Sequence, residues 1–141
     1  MTAAPSNPGL KATWHEFKGN KCSEIEKAPV NGTYPVEDVM IPKKVKGNIG
    51  LIIKGYFNAP QDDIYTFALL SDDGSTLTID SERIVDNDGP HGPKEIVGQK
   101  ALAKGYHPME LRYFDQNGGQ LKLKVTGSDG KEIPFTHLYA H

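Results

Sequence analysis

Two adjacent acids, Asp72 and Asp73, lie in a turn sequence, Ser71–Ser75, that separates two strand-like segments. Aspartate and Gly74 are typical turn residues, because aspartate bonds its own backbone and glycine accepts positive φ. A turn needs at most one aspartate, and two side by side repel each other. The pair is therefore either a solvated surface turn or half of a site that collects oxygen ligands.

A second turn offers the other half of such a site. Asp115 and Asn117 add a carboxylate and an amide oxygen at the end of a later strand. Calcium takes about six to eight oxygens from carboxylates, carbonyls and waters. If both turns lie at the same end of the fold, a calcium ion between them leaves coordination positions for neighbouring hydroxyls of a sugar. The competing interpretation is that the acidic turn only fixes a hairpin.

Several kinds of catalytic site are not indicated. The sequence has no Gly-x-Ser-x-Gly, no phosphate-binding loop and no His-Glu-x-x-His. Its histidines show no metal-ligand spacing, and the single cysteine, Cys22, excludes an internal disulfide and a thiolate cluster. Adjacent acids such as Asp72 and Asp73 do not straddle a glycosidic bond as catalytic carboxylates do. The chain is predicted not to be an enzyme, and His91, in the longest polar loop, is a candidate to contact a ligand.

The elements that position these turns are strands. Apolar residues alternate with small or polar ones, which is the pattern of half-buried strands. The pattern predicts hairpins over Tyr65–Ile79 and Met109–Val125, with residues 86–93 as a loop. Further strands are predicted over Leu10–Phe17, Ile49–Phe57, Lys94–Leu102 and Lys131–Tyr139. The residues predicted to face inward are Tyr65, Phe67, Leu69, Leu77, Ile79, Met109, Leu111, Tyr113, Leu121, Leu123 and Val125.

Length and composition support one all-β domain. The chain has 141 residues, 37% hydrophobic, with 15 glycines and 10 prolines, as in sandwiches with polar loops. We predict an antiparallel β-sandwich or jelly-roll-like barrel with little helix. Residues 18–48 are predicted to be irregular because prolines and Asn31-Gly32 interrupt them. Residues 1–9 are predicted to be a linker and residues 10–141 a single module.

Charge and hydropathy exclude two kinds of partner. The net charge of -2 lacks the basic excess of a nucleic-acid-binding surface. No stretch approaches the roughly 20 apolar residues of a membrane span. We therefore predict neither nucleic-acid binding nor membrane insertion.

Several motifs occur in an order that resembles one known family. They are Ser71-Asp-Asp-Gly-Ser, Val85-Asp-Asn-Asp-Gly, Gly105-Tyr-His-Pro-Met-Glu-Leu-Arg-Tyr-Phe, and Gly118-Gly119 before Leu-x-Leu-x-Val. From Leu10 to Tyr139 the chain resembles the sandwich domain named after the anthrax toxin protective antigen. That domain also occurs in bacterial glycosidases and in yeast flocculins and epithelial adhesins. The resemblance implies a carbohydrate-recognition module.

The resemblance also implies roles for individual residues. In the yeast adhesins two adjacent aspartates joined by a cis peptide bind calcium, and the calcium holds the sugar; they match Asp72 and Asp73. The adhesins' next ligand, an asparagine, falls on Asp115, and backbone carbonyl ligands fall near Asn117 and Gly119. The implied metal set is Asp72, Asp73, Asp115, Asn117 and Gly119, and the predicted sugar-binding set is Asp72, Asp73, Asn117 and His91.

The resemblance further implies a setting. The aromatic and disulfide-linked loops of the adhesins are absent, so their sugar specificity does not carry over. The Ser-Asp-Asp-Gly-Ser turn resembles bacterial members that lie beside glycosidase or sulfatase domains. We expect an extracellular or periplasmic module of a larger secreted enzyme, with a glycan and the adjacent catalytic domain as partners. The alternative is a docking module with no sugar or metal site.

Overall fold

A computed structural model of the protein describes residues 7–43, 45, 47–116, 119–134 and 138–140. In these residues the chain forms eleven strands and a short 3₁₀ helix, Cys22–Lys27. The strands are β1 (Asn7–Pro8), β2 (Leu10–Glu16), β3 (Val30–Val36), β4 (Asn48–Ala59), β5 (Asp63–Asp72), β6 (Ser75–Ile79), β7 (Glu82–Asn87), β8 (Lys94–Leu102), β9 (Gly105–Gln116), β10 (Gln120–Thr126) and β11 (Leu138–Ala140). The predicted all-β fold is confirmed.

The strands form two antiparallel sheets. The eight-stranded sheet runs β1-β11-β4-β9-β6-β7, and β2 joins β3 to one edge of β4. The three-stranded sheet runs β10-β5-β8. Strand β1, which falls within the predicted linker, pairs with β11 at Asn7 and Ala140. The pairing of β4 with β9 sets Ile49 opposite Asp115 at one end of the sandwich and Ala59 opposite Gly105 at the other.

One core lies between the sheets. Phe57 of β4 packs edge-to-face on Tyr65 and Phe67 of β5, with ring centroids 5.3 and 5.7 Å apart. The residues predicted to face inward are buried, except Leu121, which is half-buried and packs against the same core. Because both sheets bury one face, a strand such as β5 alternates between buried and half-buried residues.

Both predicted hairpins are wrong. Strand β5 pairs with β8 and β10, whereas β6 pairs with β7 and β9. Strands β9 and β10 likewise belong to different sheets. Each acidic turn therefore carries the chain from one sheet to the other. Alternation does not reveal this, because a strand that crosses to the opposite sheet still turns its apolar face to the same core.

The structure also corrects the prediction for residues 18–48, which contain the 3₁₀ helix and β3. Among the described strands, β3 pairs with β2 alone, and a proline such as Pro35 is tolerated on an edge strand that has one unpaired side. The 3₁₀ helix places Cys22 and Ile25 on a second apolar cluster with Phe17, Ile52 and Phe114. Among the described helices, none is long and apolar enough to span a membrane.

Candidate metal centre

The Asp72–Asp73 turn is compact and tightly enclosed. Asp72 ends β5, Ser75 starts β6, and the Asp72–Asp73 peptide bond is cis, as the resemblance implied. A Cβ atom on Gly74 would lie 2.6 Å from the Phe114 ring and 2.7 Å from the backbone of Gly89. Glycine at this position lets the turn lie against β9 and against the loop that follows β7.

Asp115 reaches the same place from β9. Strand pairing sets Ser75 opposite Tyr113, and Gln120 opposite Asp72, so the two sheet-to-sheet connections lie side by side. Asp72, Asp73 and Asp115 each offer one carboxylate oxygen, and these three oxygens lie within 4.8 Å of one another. Convergence of these acids at one end of the sandwich was predicted and is confirmed.

The structure describes one of the two remaining predicted ligands. Asn117 lies outside the described residues. Gly119 lies against the acids, since a Cβ on it would overlap the carbonyl oxygen of Asp72 and come within 2.6 Å of the Tyr113 hydroxyl. The backbone of Gly119 therefore lies beside the acids. Its role as a carbonyl ligand, which the resemblance implies, stays a prediction.

The acids differ in burial and in hydrogen bonding. Asp115 is 4% exposed, whereas Asp72 and Asp73 are half-buried. One Asp73 oxygen, Oδ1, accepts the backbone N–H of His91 and the other, Oδ2, that of Gln116, each at 3.1 Å. Asp73 thus ties the loop after β7 to the end of β9.

His91 borders the site through its backbone. Its imidazole Nδ1 lies 2.6 Å from the Gly92 carbonyl oxygen and Nε2 lies 2.8 Å from that of Asn87. The ring therefore engages its own loop. The predicted loop over residues 86–93 does form one wall of the site, but Asp86 and Asn87 belong to β7, so the loop proper is 88–93.

The site is strongly electronegative. Burial raises the pKa of the Tyr113 phenol, and the negative charges of Asp115, Asp72 and Asp73 raise it further. The phenol stays protonated and donates to the Asp72 carbonyl oxygen at 2.6 Å. Within the described ranges, neither Asp72 nor Asp73 forms an ion pair with lysine or arginine. Like charges held this close are costly without a cation.

The donor set fits a hard cation. Calcium–oxygen distances of about 2.3–2.6 Å place two ligands on opposite sides of an ion about 4.6–5.2 Å apart. One carboxylate oxygen from each of the three acids lies within 4.8 Å of those of the other two. Their separation is therefore one that a single calcium ion bridges.

Two features of the site were missed from the sequence. Tyr113 was predicted only as a core residue, yet its hydroxyl bonds the acidic turn; its position two residues before Asp115, on the same face of β9, is the signal that indicates this. Asn87 was placed in a loop, whereas its side chain is buried beneath the turn. The signal for Asn87 is weak, because polar residues are common in loops.

Substituting Gly119 by alanine is expected to destabilise the protein by about 1–3 kcal/mol, the range for overpacking. The added methyl group would overlap the Asp72 carbonyl, which is backbone and has little room to move. Gly92→Ala is the matched control, because nothing lies within 4 Å of a Cβ at that position. Urea denaturation of both variants measures the difference. Equal stability of the two variants would contradict the close approach of Gly119 to Asp72.

Comparison with known proteins places the fold in context. No curated protein sequence matches the chain. A sugar-binding PA14 domain from an RTX adhesin superposes with a TM-score of 0.80 at 16% identity, covering 96% of this chain and 100% of that one. The A domain of epithelial adhesin 6 from Candida glabrata, solved with Galβ1-3GlcNAc, gives 0.69 at 13% identity, covering 98% and 88%.

A larger protein contains the same fold. The β-glucosidase of Kluyveromyces marxianus, solved with glucose, gives a TM-score of 0.65 at 17% identity over 85% of this chain and 16% of that one. At these identities the likenesses concern the fold. The family model described as the PA14 domain matches residues 6–135, which is most of the chain. The protein therefore belongs to the PA14 domain family.

Proposed function

We propose that this PA14 domain is a non-catalytic carbohydrate-binding module that holds its ligand through calcium. Asp72, Asp73 and Asp115 are the proposed carboxylate ligands, and Asn117 and the carbonyl of Gly119 complete the set on the protein side. Coordination positions that remain open would take neighbouring hydroxyls of a sugar. His91 and the loop around it form the adjacent wall.

The convergence of the three carboxylates carries this proposal. Their oxygens lie within 4.8 Å of one another although Asp115 is more than 40 residues from the pair in sequence. Three carboxylates held this close repel one another, and a bound cation would offset that repulsion. The sugar-binding adhesin domains of the same fold support glycan as the ligand class.

The proposed setting is a larger secreted protein. A sugar-binding module attached to a glycan-degrading enzyme would keep the catalytic domain near its substrate by raising effective concentration. The β-glucosidase that contains this fold as a small part of its chain supports such an arrangement. We therefore propose an extracellular or periplasmic accessory role.

One observation favours a second candidate, a docking module whose acids are structural. Both oxygens of Asp73 already accept backbone N–H groups, from His91 and Gln116. An acid used in this way fixes two loops without any metal. Under this alternative the domain would bind its neighbour in the parent protein and no sugar.

A glycan array probed with and without chelator is expected to show specific binding in calcium that is lost when calcium is removed. Glu37→Gln serves as a charge control, and it should bind as the wild type does. Glu37 is an exposed acid just after β3, whose last residue, Val36, pairs with Leu10 beyond the Lys11–Lys54 row, at the end of β4 away from Asp115. Binding that survives chelation would remove calcium from the mechanism and keep the lectin function. A blank array would favour the docking module. Hydrolysis of an aryl glycoside that disappears in Asp72→Asn would contradict the non-catalytic assignment.

A further inference from the structure

Three buried polar side chains lie directly beneath the acidic turn. Ser71 and Ser75 are 0% exposed and Asn87 is 3% exposed. Ser71 immediately precedes Asp72, and Ser75 immediately follows Gly74. The serines therefore bracket the turn at the points where it leaves one sheet and enters the other.

Hydrogen bonds join these side chains across the two sheets. The Ser71 and Ser75 hydroxyl oxygens lie 2.6 Å apart, which links β5 to β6. The Asn87 side-chain amide donates from β7 to the Ser71 hydroxyl at 3.3 Å and to the carbonyl of Lys94, the first residue of β8, at 2.8 Å. We call Ser71, Ser75 and Asn87 the polar clasp.

The orientation of the Asn87 amide is determined by its surroundings. Its nitrogen also lies 3.3 Å from the Leu69 carbonyl, so it faces two carbonyl oxygens, those of Leu69 and Lys94, and a reversed amide would set oxygen against oxygen at both. Its Oδ1 is buried without a partner among the described residues. A buried acceptor left unpaired lowers stability. The amide is therefore held in place through its nitrogen, which joins β7 to β5 and β8.

We propose that Asn87 is a positioning residue for the cation site, acting through the polar clasp. This inference rests on the proposed function, since it takes Asp72 and Asp73 as the ligands that are positioned. The polar clasp fixes both ends of the turn across the gap between the sheets. The carboxylates of Asp72 and Asp73 are therefore held in place before a cation binds. Asn87 itself contributes no ligand atom.

Calcium affinity measured by titration calorimetry tests the proposal. Groups that orient metal ligands from behind typically change affinity by about 10–100-fold, and Asn87→Ala is expected to weaken calcium binding by at least about 10-fold. The matched control is Val85→Ala, on the same strand and also buried, at 1% exposure, with no part in the clasp. That variant loses stability too, yet its calcium affinity should stay within about twofold of wild type. Unchanged affinity in Asn87→Ala, or equal loss in both variants, would overturn the proposal.

Hydrogen exchange in chelator separates this inference from the proposed function. Asn87→Ala is expected to speed amide exchange across residues 72–75 by about 10-fold, the same factor as the expected loss of calcium affinity. Val85→Ala is expected to speed it less. If the wild type binds no calcium, the calcium part of the proposed function fails, and the exchange comparison alone decides whether the clasp holds the turn. Equal exchange rates in the two variants would refute the clasp even if the wild type binds calcium tightly.

Discussion

Replacing Asp73 by asparagine is expected to abolish the calcium-dependent rise in melting temperature. A ligand that binds only the folded state stabilises it by about 2.7 kcal/mol at 100 times its Kd. For a domain of this size that corresponds to a rise of roughly 10 °C. The asparagine keeps the shape of the side chain but removes a charge from the three carboxylates that lie within 4.8 Å of one another.

Differential scanning calorimetry with calcium and with chelator measures the effect. Glu37→Gln is again the control, and its response to calcium should match that of the wild type. Measurement in chelator is equally informative, because Asp73 also accepts the His91 and Gln116 N–H groups. A wild type without any calcium response, together with a large loss of stability in Asp73→Asn, would assign the acid to loop fixation and support the docking module.

Truncating Phe67 to alanine is expected to cost about 3–5 kcal/mol of the free energy of unfolding. Phe67 is 0% exposed and packs edge-to-face on Phe57 across the two sheets. Removing the ring leaves a cavity in the centre of the core, where two rigid sheets have little freedom to close on it.

Urea denaturation gives the magnitude, with Ile64→Ala as the control. Ile64 belongs to the same strand but is 52% exposed, so its truncation should cost less than about 1 kcal/mol. A loss of less than about 1.5 kcal/mol in Phe67→Ala would show that this residue is not at the centre of the core.

Much of the fold follows from alternation, because alternation reports which side of a strand is buried. Tyr65, Phe67 and Leu69 were identified as core residues in this way, and they are fully buried. Alternation does not report the neighbours of a strand. The assignment of β5 and β6 to different sheets depends on pairing with strands far away in sequence, such as β8 and β9.

In the candidate site too, local sequence patterns identified some residues, and contacts between the sheets determine the roles of others. Asp72 and Asp73 stand out because two adjacent acids exceed what a turn needs, and Asp115 was indicated by its place at a strand end. The roles of Tyr113 and Asn87 depend on contacts between sheets, which a single sequence does not display. Strand β3 was missed for a local reason, since Pro35 and Asn31-Gly32 are turn signals that an edge strand tolerates.

The pairing of β1 with β11 has a geometric consequence for how this domain can be joined to another. Because Asn7 and Ala140 are directly opposed, the polypeptide enters and leaves the domain side by side. The point where the two ends of the domain meet lies beside Tyr56 on β4. Tyr56 is seven residues from the Ile49–Asp115 pair, or about 23 Å along the strand. A domain whose two chain ends lie together can be inserted within a loop of another protein as readily as at its end, with Asp115 near the opposite end of β4 from the junction.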